Sequence, residues 1–369
     1  MRRWLIALAA LLCAGSAVAQ APLGVDQSAI AANRPPELLS AYHFFRDAGA
    51  RHENAGVTEY DLQNELYSDG ALKFRYVYIP PGQHATYNPD TVFDFPVGTV
   101  LIKTFAFAAD MAHPDRNVRY LETRLLIHRA DGWIALPYVW NEAQTEARLS
   151  PIGATVPVDF IDADGQSRHL DWAVPNRNQC KGCHDRAGDL VPIGPSARNL
   201  NWANLVQIAT SEPSGPARVT EINQLDDWRS RGLVSGAPPS AQAPRVPNAF
   251  DPSAPLDLRA RAYLDVNCAH CHNPQGPAHT SGLDLRWSQH EPIAFGVNKR
   301  PVAAGRGSAN MQFAIAPGDP DHSFLIYRMQ SLDPGVMMPE LARQTVDQRG
   351  VALMREWVSH MNADASRHP

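Results

Sequence analysis

Cysteine is scarce in this chain of 369 residues. There are five, and the first, Cys13, lies in an apolar leader. With the leader removed, the remaining four all fall inside two Cys-x-x-Cys-His segments, so no thiol is spare for a disulfide framework. Missing too are a Gly-rich phosphate loop, a Gly-x-Ser-x-Gly elbow and a His-Glu-x-x-His pair, and no motif names a hydrolase. No basic stripe is present: Lys and Arg number 33 against 38 Asp and Glu, for a net charge of -5. That balance disfavours a nucleic-acid partner. The leader's apolar run, WLIALAALLCA, is too short to span a bilayer comfortably. With Arg2 and Arg3 before it and Ala17-Val18-Ala19 after it, residues 1–19 read as a cleaved export signal. The mature chain is then expected to be periplasmic or secreted, with no transmembrane segment.

The residues that are present suggest a real core and many turns. Apolar residues make up 44% of the chain, and 31 Pro with 24 Gly favour β structure or long ordered loops over a helical bundle. Leu121, Thr123, Leu125 and Ile127 alternate as on one face of a strand. Asp131-Gly132 then supplies a hairpin turn, WIALPYVW returns, and Asp164-Gly165 precedes another short strand. A small antiparallel sandwich or barrel is expected over residues 20–165. Asp61, Asp69, Trp140 and Glu142 in this region read mainly as turn formers and core edges.

The two Cys-x-x-Cys-His segments are Cys180-Lys-Gly-Cys183-His184 and Cys268-Ala-His-Cys271-His272. The spacing is that of covalent haem attachment: two thiols add to the two vinyl groups of one porphyrin, and the next imidazole ligates the iron. Two haem c groups are therefore expected, anchored by Cys180, Cys183, Cys268 and Cys271, with His184 and His272 as axial ligands. Zinc would need four ligands per site. His270 reads as an exposed spacer between the second pair of cysteines.

For the second haem, Met338 is the nominated sixth ligand. It precedes Pro339, which restricts it to extended conformations and stiffens the loop. Met337, or neither methionine, is the alternative. Two helices flank this region. PLDLRARAYLDVN places Leu258, Ala262 and Val266 on one face, and Thr345 with Gln348 suggests a capping box for a helix with Gly350, Leu353, Met354, Trp357 and Val358 in one stripe. Gly350 inside that helix suggests the close approach of another helix.

The first haem has no such candidate. Between His184 and Cys268 there is no His, Met, Lys or Cys, and no Tyr before Tyr263. Either an upstream residue reaches across, with His43, His52, His84, Met111, His113, His128 and His169 as candidates, or the iron keeps an open position.

The segments LYSDGALKFRYVYIPPG, FPVGTVLIKTFAF, ETRLLIHRADGWIALPYVWNEAQTEA, PNRNQCKGCH, PIGPSARNLN, ARAYLDVNCAHCHNPQGPAHTSGL and MMPELAR together resemble a family of secreted dihaem c-type cytochromes. The second half is also similar to a class I cytochrome c domain. The resemblance implies a two-haem periplasmic protein with a non-haem N-terminal region, and the chain as a whole is expected to be α+β. Its N-terminal β region over 20–165 is followed by a loop-rich first haem segment over 166–250 and a mainly α-helical class I cytochrome c-like domain over 251–362. The function expected is electron transfer through two covalent haems between periplasmic redox partner proteins. The alternative is a dihaem oxidoreductase with an open haem at His184.

Overall fold

The structure is a computed structural model that describes residues 24–47, 52–208, 218–302, 304–341 and 343–362. The leader, with Arg2, Arg3 and Cys13, lies outside the described residues. Six strands form one antiparallel sheet in sequence order: β1 (Val57–Tyr60), β2 (Leu72–Tyr78), β3 (Val100–Ala108), β4 (Val118–Arg129), β5 (Gly132–Trp140) and β6 (Ala147–Leu149). The turn before Gly132 joins β4 to β5, and Gly132 takes a φ of 113° that a side chain would resist. The next two strands, β7 (Ala154–Ile161) and β8 (Ser167–Val174), pair only with each other, across the boundary expected at 165/166.

Alternation along the strands produces two different faces. Tyr76, Tyr78, Val100, Ile102, Leu125, Ile127 and Tyr138 pack with Ala29, Ile30, Tyr42 and Phe44 from the N-terminal segment. The opposite face is apolar at its two ends. Val77 and Leu101 meet Ala197, Leu200 and Trp228 at one end, and Phe105, Phe107 and Leu121 meet Leu170 and Trp172 of the β7–β8 hairpin at the other. Between these ends the face is charged, and the first Cys-x-x-Cys-His segment covers it. The six-stranded sheet is an open meander with β1 and β6 at its edges, which corrects the expected sandwich or barrel.

The C-terminal third also departs from expectation. Residues 251–362 contain α-helices of 12, 4, 7 and 12 residues, separated by loops that hold most of the chain there. With 24% helix and 27% strand among the described residues, the mainly α-helical class I cytochrome c-like domain is not what this chain forms. The physical reason is composition. The two helices with apolar periodicity do form, while the Pro- and Gly-rich segments between them stay irregular.

Those helices are α2 (Leu256–Asn267) and α4 (Gln348–Ser359); α1 (Arg177–His184) precedes them and α3 (Phe324–Gln330) lies between them in the chain. The buried residues of α2 are Ala260, Ala262, Tyr263, Leu264 and Asn267; of the expected stripe, Ala262 is fully buried, Val266 is half-buried and Leu258 is 36% exposed. The cap of α4 is Asp347, whose carboxylate accepts from the Gly350 amide at 2.9 Å. Thr345 instead bonds to Tyr67 and Asp69 of the β1–β2 connection. A Cβ on Gly350 would collide with the Tyr263 ring, which is the close helix approach that the glycine suggested.

Candidate functional site

The helix α1 is short but well started. The Asn176 side chain accepts from the Gln179 amide, and the Gln179 side chain accepts from the Asn176 amide, a reciprocal cap. Cys180, Cys183 and His184 stand at i, i+3 and i+4 and so share one face. All three line a cavity of about 330 Å³ enclosed between α1, the loop at 191–199 and the charged middle of the sheet. His184 Nδ1 lies 2.8 Å from the Val191 carbonyl. A carbonyl accepts only, so Nδ1 carries the proton and the lone pair is on Nε2. A metal-binding histidine uses this arrangement.

The second segment starts where α2 ends. The amides of Cys271 and His272 donate back to the Cys268 carbonyl at 3.1 and 2.9 Å, a single turn that carries both thiols and the imidazole. They line a cavity of about 550 Å³. His272 Nδ1 is 3.0 Å from Ser281 Oγ, and that hydroxyl donates to the Ala278 carbonyl, which leaves it free to accept. Nε2 is again the free lone pair. Burial pushes both imidazoles down to about 4, so each ring is neutral and able to ligate.

Met338 lines the same cavity as His272, and Met337 does not. The Met338 amide donates to the Arg328 carbonyl at 2.9 Å, and Arg328 Nε donates to the Val336 carbonyl at 2.8 Å. Buried Arg343 clamps the same loop through the carbonyls of Ser331 and Thr345.

The two cavities share a wall. Cys183, His270 and Leu341 line both. The ligand atoms of Cys183, His270 and Cys271 lie within 4.8 Å of one another. Gly182 permits this contact, because a Cβ there would strike Leu341 Cδ1. In the unmodified chain, a hydrogen bond from Cys271 holds the Cys183 thiol well below its ordinary value, while the Cys271 thiol is pushed up. His270 is half-buried, and its Nδ1 is buried without a hydrogen-bond partner. It is therefore not the exposed spacer expected.

On the sheet side, one row of facing residues crosses five strands: Tyr60, Arg75, Lys103, Arg124 and Pro137. All five line the first cavity. Arg75 Nη1 bonds Asp61 at 2.7 Å and Glu65 at 2.8 Å, Lys73 bonds Glu65 at 3.2 Å, and Arg124 pairs with Glu122 at 2.6 Å. Arg75 Nη2 is buried with no partner. Burial, with Arg75, Lys73 and Arg124 adding repulsion, pushes the Lys103 ammonium well below its ordinary value.

None of the upstream candidates lines this cavity. His43, His52 and His84 lie elsewhere, and His128 stacks on Trp133 with its Nδ1 at the Phe95 carbonyl. His113 and His169 pair with Asp110 and Asp159, and Met111 packs on the β7–β8 cluster. Sequence reasoning missed Lys103. The available signal was a lone cation in the otherwise apolar strand VLIKTFAFA. Among the described residues, no helix is long and apolar enough to cross a membrane.

No protein-family model matches the chain, and neither a curated protein nor a solved structure is significantly similar to it. The fold and the site together are an open antiparallel sheet whose charged face is covered by the first Cys-x-x-Cys-His segment, with the cavity of the second adjoining.

Proposed function

We propose that the chain is an exported dihaem c-type cytochrome that transfers electrons between periplasmic redox partner proteins. The observation that carries this reading is the repetition of one donor set. Each pair of cysteines shares a cavity wall with the adjacent histidine, and each histidine has its Nδ1 proton tied down and its Nε2 free. Such residues suit a covalently held porphyrin, and a bound haem supplies an iron that changes oxidation state by one electron. Cys180 and Cys183 would anchor one group, Cys268 and Cys271 the other, and His184 and His272 would ligate the irons. Met338 would supply the sixth ligand of the second. Cys183 and Cys271 would anchor the two groups at adjoining edges, which suits passage of an electron from one to the other.

An oxidoreductase with an open first haem is the alternative within this reading. It requires that position to stay free for an added ligand.

A second reading rests on the Cys183, His270 and Cys271 cluster. In a chain without haem, these three could hold one metal ion such as zinc.

Mass spectrometry of the denatured, exported protein decides between them, together with its alkaline pyridine spectrum. Two haems added per chain are expected, falling to one when Cys268 and Cys271 are both changed to Ala. A chain without covalent haem would overturn the cytochrome reading, and one zinc per native chain by elemental analysis would then support the second. In the haem-loaded protein, Met338→Ala is expected to abolish the sulfur-to-iron band at the red end of the oxidised spectrum. Persistence of that band would assign the ligand elsewhere.

A further inference from the structure

We propose that Lys103, at the centre of the charged row on the sheet, supplies the amine that ligates the first haem iron opposite His184. This inference rests on the haem reading above and concerns the site for which the sequence offers no ligand downstream.

The cavity wall narrows the choice. Of the residue types that ligate haem iron, the described residues lining this cavity include, beyond Cys180, Cys183 and His184, only Tyr60, Lys103 and His270. His270 lies against the sulfurs of Cys183 and Cys271. Those sulfurs join the periphery of a porphyrin, so His270 is at the edge and not over the iron. Tyr60 stands at the end of the row, packed edge-on against Trp228 at 5.6 Å in a buried apolar cluster. Lys103 occupies the middle of the row, and its charge acts on the His184 ring.

The surroundings of Lys103 are also those of a ligand and not of an ordinary buried cation. The row and its supports contain the cations Lys73, Arg75, Lys103 and Arg124 but only the carboxylates Asp61, Glu65 and Glu122. The salt bridges assign each carboxylate to Lys73, Arg75 or Arg124. Lys103 forms no ion pair with a described residue. Its only marked contact is the Phe105 ring, 4.6 Å from Nζ to centroid. An amine with no counter-ion among cations is most stable when neutral, and a neutral amine has a lone pair to donate to iron. Ligation requires no redox step: the neutral amine would give its lone pair to ferric iron, and no proton need leave.

The test uses the exported, haem-loaded protein, with haem content measured first. Absence of two covalent haems defeats the underlying haem reading, a failure that the haem count alone reveals and that no spin-state result can mimic. With both haems present, the wild-type ferric protein is expected to be wholly low-spin by electron paramagnetic resonance. Lys103→Arg keeps a long basic side chain beside Phe105 but cannot ligate. It is expected to turn about half of the total haem, one group of two, high-spin and open to cyanide. Lys103→Ala is expected to do the same, and added methylamine to restore the low-spin state. Spin states unchanged in Lys103→Arg would overturn the proposal and leave Lys103 as a partner for a propionate. Should neither variant retain haem, wild-type protein labelled with nitrogen-15 lysine answers the question. A nitrogen-15 hyperfine coupling on the low-spin iron supports ligation, and its absence overturns it.

Discussion

Glu65 shows how one residue responds to the charged face of the sheet. Burial alone would raise its carboxyl, but the Arg75 and Lys73 cations outweigh that and hold it down to about 2, against an ordinary 4.5. A carboxyl whose affinity for protons is lowered by folding stabilises the folded state above its unfolded value, and that contribution is lost as acid protonates the folded chain. The urea midpoint should therefore fall as pH drops from roughly 5 to 2. In Glu65→Gln that part of the decline should be flatter. Parallel curves for the two proteins would mean that the pair with Arg75 and Lys73 contributes nothing. His184 and His272 illustrate the same physics with the opposite charge: burial disfavours imidazolium and prepares the neutral ring for a metal.

Among the elements, the contact between α2 and α4 depends on one missing side chain. Tyr263 donates to the Asp347 carboxylate at 2.9 Å, which also caps α4 through the Gly350 amide. The tyrosine ring fills the space beside Gly350. Ala is favoured over Gly within a helix by about 1 kcal/mol. Overpacking a tight contact costs about 1–3 kcal/mol. Collision with an aromatic ring should win, so Gly350→Ala is expected to lower stability by about 1–2 kcal/mol. Urea unfolding checks this, and a stabilised variant would show that α4 moves freely away from α2.

Across the whole molecule, the connection between β1 and β2 fastens the sheet to the chain leading into the second Cys-x-x-Cys-His segment and to the loop after Met338. Asn64 accepts from the Ala249 amide at 2.7 Å and donates to the Pro247 carbonyl, and the Tyr67 amide donates to Asn267 at 2.8 Å. Asp69, buried and at a φ of 51°, accepts from the amides of Gln344 and Thr345 and from the Thr345 hydroxyl at 2.7 to 2.8 Å. Loss of these bonds would strand two amides beside the loop that carries Met338. Asp69→Ala should cost about 2–4 kcal/mol and speed proteolysis in the loop after Met338. Asp69→Asn should cost less, because it retains an acceptor and tolerates the left-handed backbone. Equal stability in all three proteins would show that the loop is held by Arg343 alone.

Much of the donor chemistry was legible in the sequence, because it depends on short spacing. Cys180, Cys183 and His184 share a face through helical geometry alone, and the β4–β5 hairpin follows from alternation around Asp131-Gly132. Helix periodicity also marked α2 and α4, although for α2 it found Ala262 but missed Tyr263 and Leu264, and for α4 it chose the wrong cap. Those choices depend on what packs against a helix, namely α4 with Gly350 against Tyr263 in one case and Asp69 competing for Thr345 in the other. The juxtaposition of Cys183, His270 and Cys271 could not be read from the chain, since His270 and Cys271 lie more than eighty positions beyond Cys183. Nor could the sharing of one cavity by Lys103 and His184, which needs the strand register to bring Arg75, Lys103 and Arg124 into one row. Local spacing determined which atoms this chain can offer to a cofactor. Only the tertiary structure decided which of them meet, because strand register and loop closure bring together groups that no short-range periodicity connects.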